Sequence, residues 1–282
     1  MENTFKKIAV VVDSSADITS QQAHDNGLFV IRMPLTINEK QYIEFDEISD
    51  EEIIDFMKQG EVVKTSSPLL GEIYKTFEKI LLDYDELIFI PLSSKLSSTY
   101  QNCAIASESF DGRVVVVDAL SACAPIQVIA RYAQEMIKLG YDSKEIKSKI
   151  ENESYMFASL IPEDLVYLKR GGRISAAAAA LANALKIVPI LKVEDGQIDV
   201  YSKVRTRRKA ISVAMEATLN VENQDDYEFM FVYAGVEDIN EYVNEFQSKI
   251  ASKVLVCKIK AVVMAHTGPG TIGFARIKKI KY

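Results

Sequence analysis

The stretch AHTGPGTIGFA, residues 265–275, spaces Gly268, Gly270 and Gly273 as G-x-G-x-x-G. If it is a dinucleotide fingerprint, the whole chain is a nucleotide-binding fold. That fingerprint belongs to a strand, a glycine loop, a helix and a second strand, with an acid about 20 residues further on. Here Pro269 stands inside the motif, and only nine residues, FARIKKIKY, follow Gly273. They alternate like a terminal strand and leave no room for a βαβ unit, so the nucleotide reading fails. What remains is His266, at the end of the apolar run AVVMAH read as a strand, followed by a Gly-Pro-Gly turn. Such a turn lets backbone come close to a partner.

Working back towards the N-terminus, the first half alternates strand and helix patterns. IAVVVD (8–13), LFVIRM (28–33), LIFIPL (87–92) and VVVVD (114–118) are short β-branched runs of the kind buried on both faces of a parallel sheet. Between them, 69–82 puts Leu70, Ile73, Phe77, Ile80 and Leu81 on one helical face. Residues 124–140 do the same with Ile126, Ile129, Ala133, Met136 and Ile137, and Gly140 suits the position just past the helix end. Asp142 or Ser143 caps a further helix running to about 151. The rhythm changes near 155. MFASLI reads as a strand, PEDLVYLKR as a short helix with Pro162 at its start, GGRIS as a break, and the alanine-rich tract after it as a helix. KIVPILKV and QIDVYSK flank a hairpin turn, with Pro189 marking an edge or an irregular start. A helix near 206–220, the strand YEFMFVYAG, a helix near 239–252 and the strand KVLVCKI complete the pattern. The expectation is an α/β chain in two domains. Residues 1–157 form a three-layer α/β/α domain with a mostly parallel sheet, and 158–282 an α/β domain with a mixed sheet.

Composition narrows the function. The chain has 282 residues, is 48% apolar and carries a net charge of −7. Broad nucleic-acid binding needs clustered Lys and Arg and is not expected. Cys103, Cys123 and Cys257 are dispersed without a C-x-x-C and read as small buried hydrophobes. His24 and His266 are the only histidines, too few for a multi-histidine metal site. The N-terminal IAVVV is too short for a signal peptide, and AAAAALANAL falls short of the ~20 residues that span a bilayer. A cytoplasmic protein is expected, without metal or cofactor.

Three hydroxyl-rich segments sit at strand or helix ends: DSSAD (13–17), KTSSP (64–68) and SSKLSSTY (93–100). Hydroxyls beside the free N–H groups of a helix start form an anion site, although each alone reads equally well as an N-cap. KVRTRRK (203–209) places five basic residues in seven. Lys203, Arg205, Arg207 and Arg208 are candidates for contact with an anionic membrane surface or an acidic partner, against the plainer reading of a solvated helix face.

VVDSSADIT, KTSSP, LSSTYQNCA, VVVVDA, LVYLKRGGRIS, VPILKVEDGQI, KVRTRRKA and HTGPG occur in the order seen in the DegV family, and the chain resembles that family over nearly its whole length. The resemblance implies two α/β domains with a long-chain fatty acid in a tunnel at their interface. It implies the fatty-acid-binding subunit of a bacterial fatty acid kinase, a non-catalytic role in phospholipid metabolism. A separate ATP-binding subunit would phosphorylate the bound carboxylate. Carried over by motif, the carboxylate contacts are Thr65 and Ser66, Ser97 and Ser98, and His266 and Thr267. Arg173, Gly268 and Gly270 lie near the head group or face the kinase. Two positions depart from the family pattern: Ser98 stands where S-G-T-Y has glycine, and Ser67 where T-S-Q-P has glutamine.

The chemistry suits such a ligand. Each buried methylene contributes ~0.8 kcal/mol, so a C16 to C18 chain contributes on the order of 10 kcal/mol before ordering costs. The carboxylate then needs hydrogen-bond donors, because burying it bare is costly. Two enzyme readings compete, an acyl hydrolase and a free-standing small-molecule kinase. The sequence contains neither G-x-S-x-G nor G-x-x-x-x-G-K-[ST].

Overall fold

The computed structural model describes residues 6–181 and 187–282. The chain divides into two compact units that are not contiguous in sequence. The first comprises residues 1–34, 66–154 and 280–282, and the second 35–65 and 155–279. A single division at 157/158 therefore misses that 35–65 is counted with the C-terminal unit. Nothing in its composition marks that excursion.

The first unit is built on four parallel strands, β1 (Ile8–Asp13), β2 (Phe29–Ile31), β6 (Glu86–Ile90) and β7 (Val114–Val116), in the order β2-β1-β6-β7. Every residue of β1, β6 and β7 is buried, as continuous β-branched runs require. Helices α1 (Ser20–Asp25), α3 (Leu70–Ile80), α4 (Thr99–Ser107), α5 (Ala124–Lys138) and α6 (Ser143–Glu153) accompany the sheet. In α3, Ile73, Phe77 and Ile80 are buried while Leu70 is 42% exposed, so the apolar stripe begins one turn later than its spacing predicts. Gly140 follows the C-cap residue of α5, Leu139, with φ +91, and Asp142 caps α6 by accepting from the backbone N–H groups of Lys144 and Glu145. Chain order reverses between β1 and β6. That is the switch point at whose strand ends α/β sheets gather ligands.

The second unit carries a six-stranded mixed sheet and a small antiparallel one. The large sheet runs β10-β9-β8-β13-β11-β12, comprising β8 (Met156–Ile161), β9 (Val188–Glu194), β10 (Gln197–Val204), β11 (Tyr227–Tyr233), β12 (Leu255–Lys258) and β13 (Ile272–Lys278). Among the described residues its strand pairings are antiparallel apart from β11 with β12, which are parallel. The β9–β10 hairpin turns through Asp195 and Gly196, both at positive φ (49° and 72°), which is the primed two-residue turn. Pro189 is tolerated because it lies beyond the last residue that β9 pairs with β8, Leu191, and faces only Lys203 of β10. The terminal strand β13 is central and buried along all but its last residue, rather than half-exposed. Helix α9 (Arg207–Leu219) and Phe229, Phe231, Phe246 and Phe274 fill the core, with Phe246 and Phe274 ring centroids 4.9 Å apart.

The small sheet, β4-β3-β5, consists of β3 (Pro34–Ile37), β4 (Lys40–Ile43) and β5 (Lys64–Thr65), with α2 (Asp50–Lys58) between β4 and β5. Two expectations change in this unit. The helix after β8, α7 (Val166–Gly171), starts four residues past Pro162, where the Asp164 carboxylate accepts from the N–H of Val166 at 2.8 Å. AVVMAH is the body of a helix, α11 (Ala261–Thr267), not a strand; β12 already ends the sheet at Lys258. Within the alanine tract the described helix is α8 (Ala176–Ala180), in which Ala178 alone is buried. The rest of that tract, 182–186, lies outside the described residues. Helix α10 (Asn240–Gln247) completes the unit. Of the cysteines, Cys103 is buried and Cys123 and Cys257 are half-buried. No helix among the described residues is long and apolar enough to cross a membrane, and no group of three or more potential metal ligands occurs among them.

Candidate functional site

The site begins with β5, a two-residue strand held to β3 by the Leu35–Thr65 pairing. This register fixes Thr65 within the small sheet. Helix α11 packs against both β5 and α7. It carries His266 in its last turn, and His266 Nε2 lies 2.7 Å from Thr65 Oγ1. Two expected site residues, 201 positions apart in sequence, are thus hydrogen-bonded. Burial holds the imidazole pKa down to about 4, with the Arg173 guanidinium adding to the effect, so the ring is neutral at neutral pH. His266 Nδ1 is buried without a hydrogen-bond partner among the described residues.

Thr65 and His266 border a cavity of about 280 Å³ whose lining also includes Val62, Lys64, Tyr167, Arg170 and Arg173. Three cations beside the uncharged Thr65, Tyr167 and His266 make the cavity receptive to an anion while keeping the hydrogen-bonding groups neutral. Lys64, Tyr167 and Arg170 were not among the expected site residues. Lys64 directly precedes Thr65, and Arg170 is the second residue of the KRGGR run (169–173) that ends at Arg173.

The glycines of HTGPG have a steric purpose. Gly268 (φ +83) leaves room for the Tyr167 ring; a Cβ there would stand 2.4 Å from it. Gly270 (φ +84) leaves room for Glu163, with a Cβ at 2.7 Å. In return, Gly171 leaves room for His266. The LVYLKRGGRIS and HTGPG segments therefore interlock, each supplying the glycines that seat the other's side chains. Thr267 is buried, and its hydroxyl turns back to the Val263 carbonyl at 3.4 Å. Arg207 is also engaged here, donating to Glu163 (2.6 Å) and to the Gly270 carbonyl (2.8 Å). Lys203, Arg205 and Arg208 are exposed.

The first unit holds the other hydroxyls. Ser97 Oγ is 2.9 Å from Thr99 Oγ1, Thr99 Oγ1 donates to Ser67 Oγ at 3.3 Å, and Ser67 Oγ is 2.8 Å from Ser98 Oγ. Ser98 is the N-cap of α4 but makes no side-chain cap bond, which leaves its hydroxyl to this network. Ser66 is exposed and is anchored through its backbone N–H to the Pro34 carbonyl. The DSSAD segment is structural. Asp13, Ser14 and Ser15 are all fully buried, Asp13 accepts from the N–H groups of Ser15 (3.0 Å) and Leu92 (2.9 Å), and Ser14 Oγ accepts from Met33 N–H at 2.8 Å. Burial raises the Asp13 pKa against the opposing effect of those bonds.

Comparison with known proteins is consistent over the full length. The model of the family described as "Uncharacterised protein, DegV family" matches residues 7–279. A DegV domain-containing protein of Staphylococcus aureus (strain N315) is 30% identical over 281 residues, covering 97% of this chain and 99% of that protein. Among solved structures, a DegV family protein from Thermus thermophilus, described for fatty acid binding, superposes with a TM-score of 0.87 at 27% identity. The match covers 97% of this chain and 100% of that one. DegV from Bacillus subtilis, described as a fatty acid binding protein, gives 0.82 at 28% identity, covering 97% and 100%.

Proposed function

The chain belongs to the DegV family, and we propose that it binds a long-chain fatty acid and presents the carboxylate to a separate ATP-dependent kinase subunit. The observation that carries this reading is the Thr65–His266 pair, a hydroxyl and a neutral imidazole at the margin of a cation-lined cavity. The fatty acid binding described for the Thermus thermophilus and Bacillus subtilis relatives supports the ligand class. In this proposal the Thr65 hydroxyl receives the carboxylate, with His266 hydrogen-bonded behind it.

Neutral donors satisfy a buried carboxylate without the tight ion pair that would hold its electron pair in place. The carboxylate oxygen stays nucleophilic. It attacks the γ-phosphorus of ATP on the kinase subunit, a new O–P bond forms, the bond to the β-phosphate oxygen breaks, and ADP leaves as acyl phosphate forms. No proton changes hands. The chain itself supplies position and no bond chemistry. Exposed Lys203, Arg205 and Arg208 are the proposed contacts to an anionic lipid or partner surface.

Titration with stearic acid and with its methyl ester tests the head-group assignment. The acid is expected to bind at least about tenfold more tightly, and Thr65→Val to remove that difference. Equal affinity of acid and ester for the wild-type protein would refute it.

A further inference from the structure

The ring of His266 touches two residues in opposite ways. Nε2 faces the Thr65 hydroxyl at 2.7 Å. Nδ1 faces Gly171, where a Cβ would stand 2.3 Å from it. The side-chain position of Gly171 is occupied by a C–H, which therefore points at Nδ1. A proton on Nδ1 would meet that C–H head-on, whereas a bare lone pair receives it as a weak C–H contact. No other group satisfies Nδ1 among the described residues. A buried lone pair without a strong partner is tolerated better than a buried N–H without one.

We propose that Gly171 is a positioning residue that fixes His266 in the Nε2–H tautomer, so that His266 donates to Thr65 and the Thr65 hydroxyl proton is released to donate to a ligand. A hydroxyl has one proton and accepts through its lone pairs. With Nε2–H donating to Thr65 Oγ1, that proton has no intramolecular use in this pair. With the opposite tautomer, Thr65 would spend its proton on the ring and offer a ligand only lone pairs, which repel a carboxylate. The polarity of the site is set by a glycine that offers the ligand no side-chain hydrogen bond. This inference rests on the proposed carboxylate role of Thr65 only for its binding consequence; the tautomer stands on the geometry alone.

Two readouts separate these points. The chain has only two histidines, so a long-range nitrogen–proton correlation spectrum of ¹⁵N-labelled protein, with His24→Gln for assignment, isolates the His266 ring. At pH 7.5 the expected pattern is a single tautomer protonated at Nε2 and bare at Nδ1. Gly171→Ala is expected to abolish that single-tautomer pattern and to weaken stearic acid binding about tenfold. The control Gly172→Asn sits at φ +67 with nothing within 4 Å of its Cβ position, and is expected to leave both unchanged. A wild-type ring protonated at Nδ1 would overturn the proposal whether or not Gly171→Ala folds. So would a folded Gly171→Ala that keeps the wild-type spectrum and affinity. If wild-type protein shows the Nε2–H tautomer but ignores stearic acid, the tautomer assignment stands and the fatty-acid reading falls.

Discussion

Ser67 Oγ and Ser98 Oγ are hydrogen-bonded at 2.8 Å. Both stand in the two motifs read from the sequence as departing from S-G-T-Y and T-S-Q-P, so these two departures touch each other and form a pair rather than two independent changes. Ser67 leads β5 towards α3, and Ser98 caps α4, so the bond ties two helix entries within the first unit. A double-mutant cycle with Ser67→Gln and Ser98→Gly is expected to give a coupling energy of about 0.5–1.5 kcal/mol in chemical denaturation. Additive effects would mean the pair has no energetic link.

Asp13 is the clearest structural acid. Its carboxylate joins the end of β1 to the Leu92 N–H just past β6, at the switch point of the parallel sheet. Asp13→Ala leaves the N–H groups of Leu92 and Ser15 without their acceptor, and should cost about 2–4 kcal/mol by urea denaturation. Asp13→Asn, which retains one carbonyl acceptor, is expected to lose less than half of that.

The glycines of the interlock separate steric from conformational cost. Gly268→Ala suffers both a positive φ and overlap with Tyr167, and should destabilise by about 2–4 kcal/mol. Gly112, at φ +77, has nothing within 4 Å of its Cβ position, so Gly112→Ala should cost only about 1–2 kcal/mol. Thermal melts of the two variants side by side check this difference; equal losses would mean the Tyr167 contact is not tight.

His266 gives a pH dependence with a definite sign. In the unfolded chain the ring takes a proton near 6.5, while in the folded protein burial and Arg173 delay this to about 4; Lys64 and Arg170 border the same cavity. Between those values the unfolded state holds more protons, so stability falls as pH is lowered through the window and is unaffected above it. The shift corresponds to roughly 3 kcal/mol once pH is below the folded value. His266→Gln should flatten the acid limb of a stability profile between pH 6.5 and 4. An unchanged slope would show that the ring titrates normally.

Much of the framework was legible because its signals are local. Continuous β-branched runs gave β1, β6 and β7, an Asp-Gly pair gave the β9–β10 turn, and Asp142 gave the start of α6. AVVMAH misled because a six-residue apolar run with two adjacent valines has no period long enough to separate helix from strand. Residues 35–65 misled because membership of a compact unit depends on long-range contacts that composition does not encode. The Thr65–His266 pair was accessible only through family motifs, since nothing in one sequence joins positions 201 apart. Of the cavity's cations, Lys64 and Arg170 were overlooked because, exposed, they are residue by residue indistinguishable from solvated surface.

The central claim is that the carboxylate of a long-chain fatty acid is held by Thr65, with His266 hydrogen-bonded behind it. Denaturing extraction of purified protein, followed by mass spectrometry of the released lipid, tests it most directly when wild type and the Thr65→Val/His266→Gln double variant are compared. The account predicts a long-chain fatty acid at near-equal stoichiometry with the wild-type chain and its loss from the folded double variant. Wild-type protein free of fatty acid, or a double variant that retains it in full, would contradict the account.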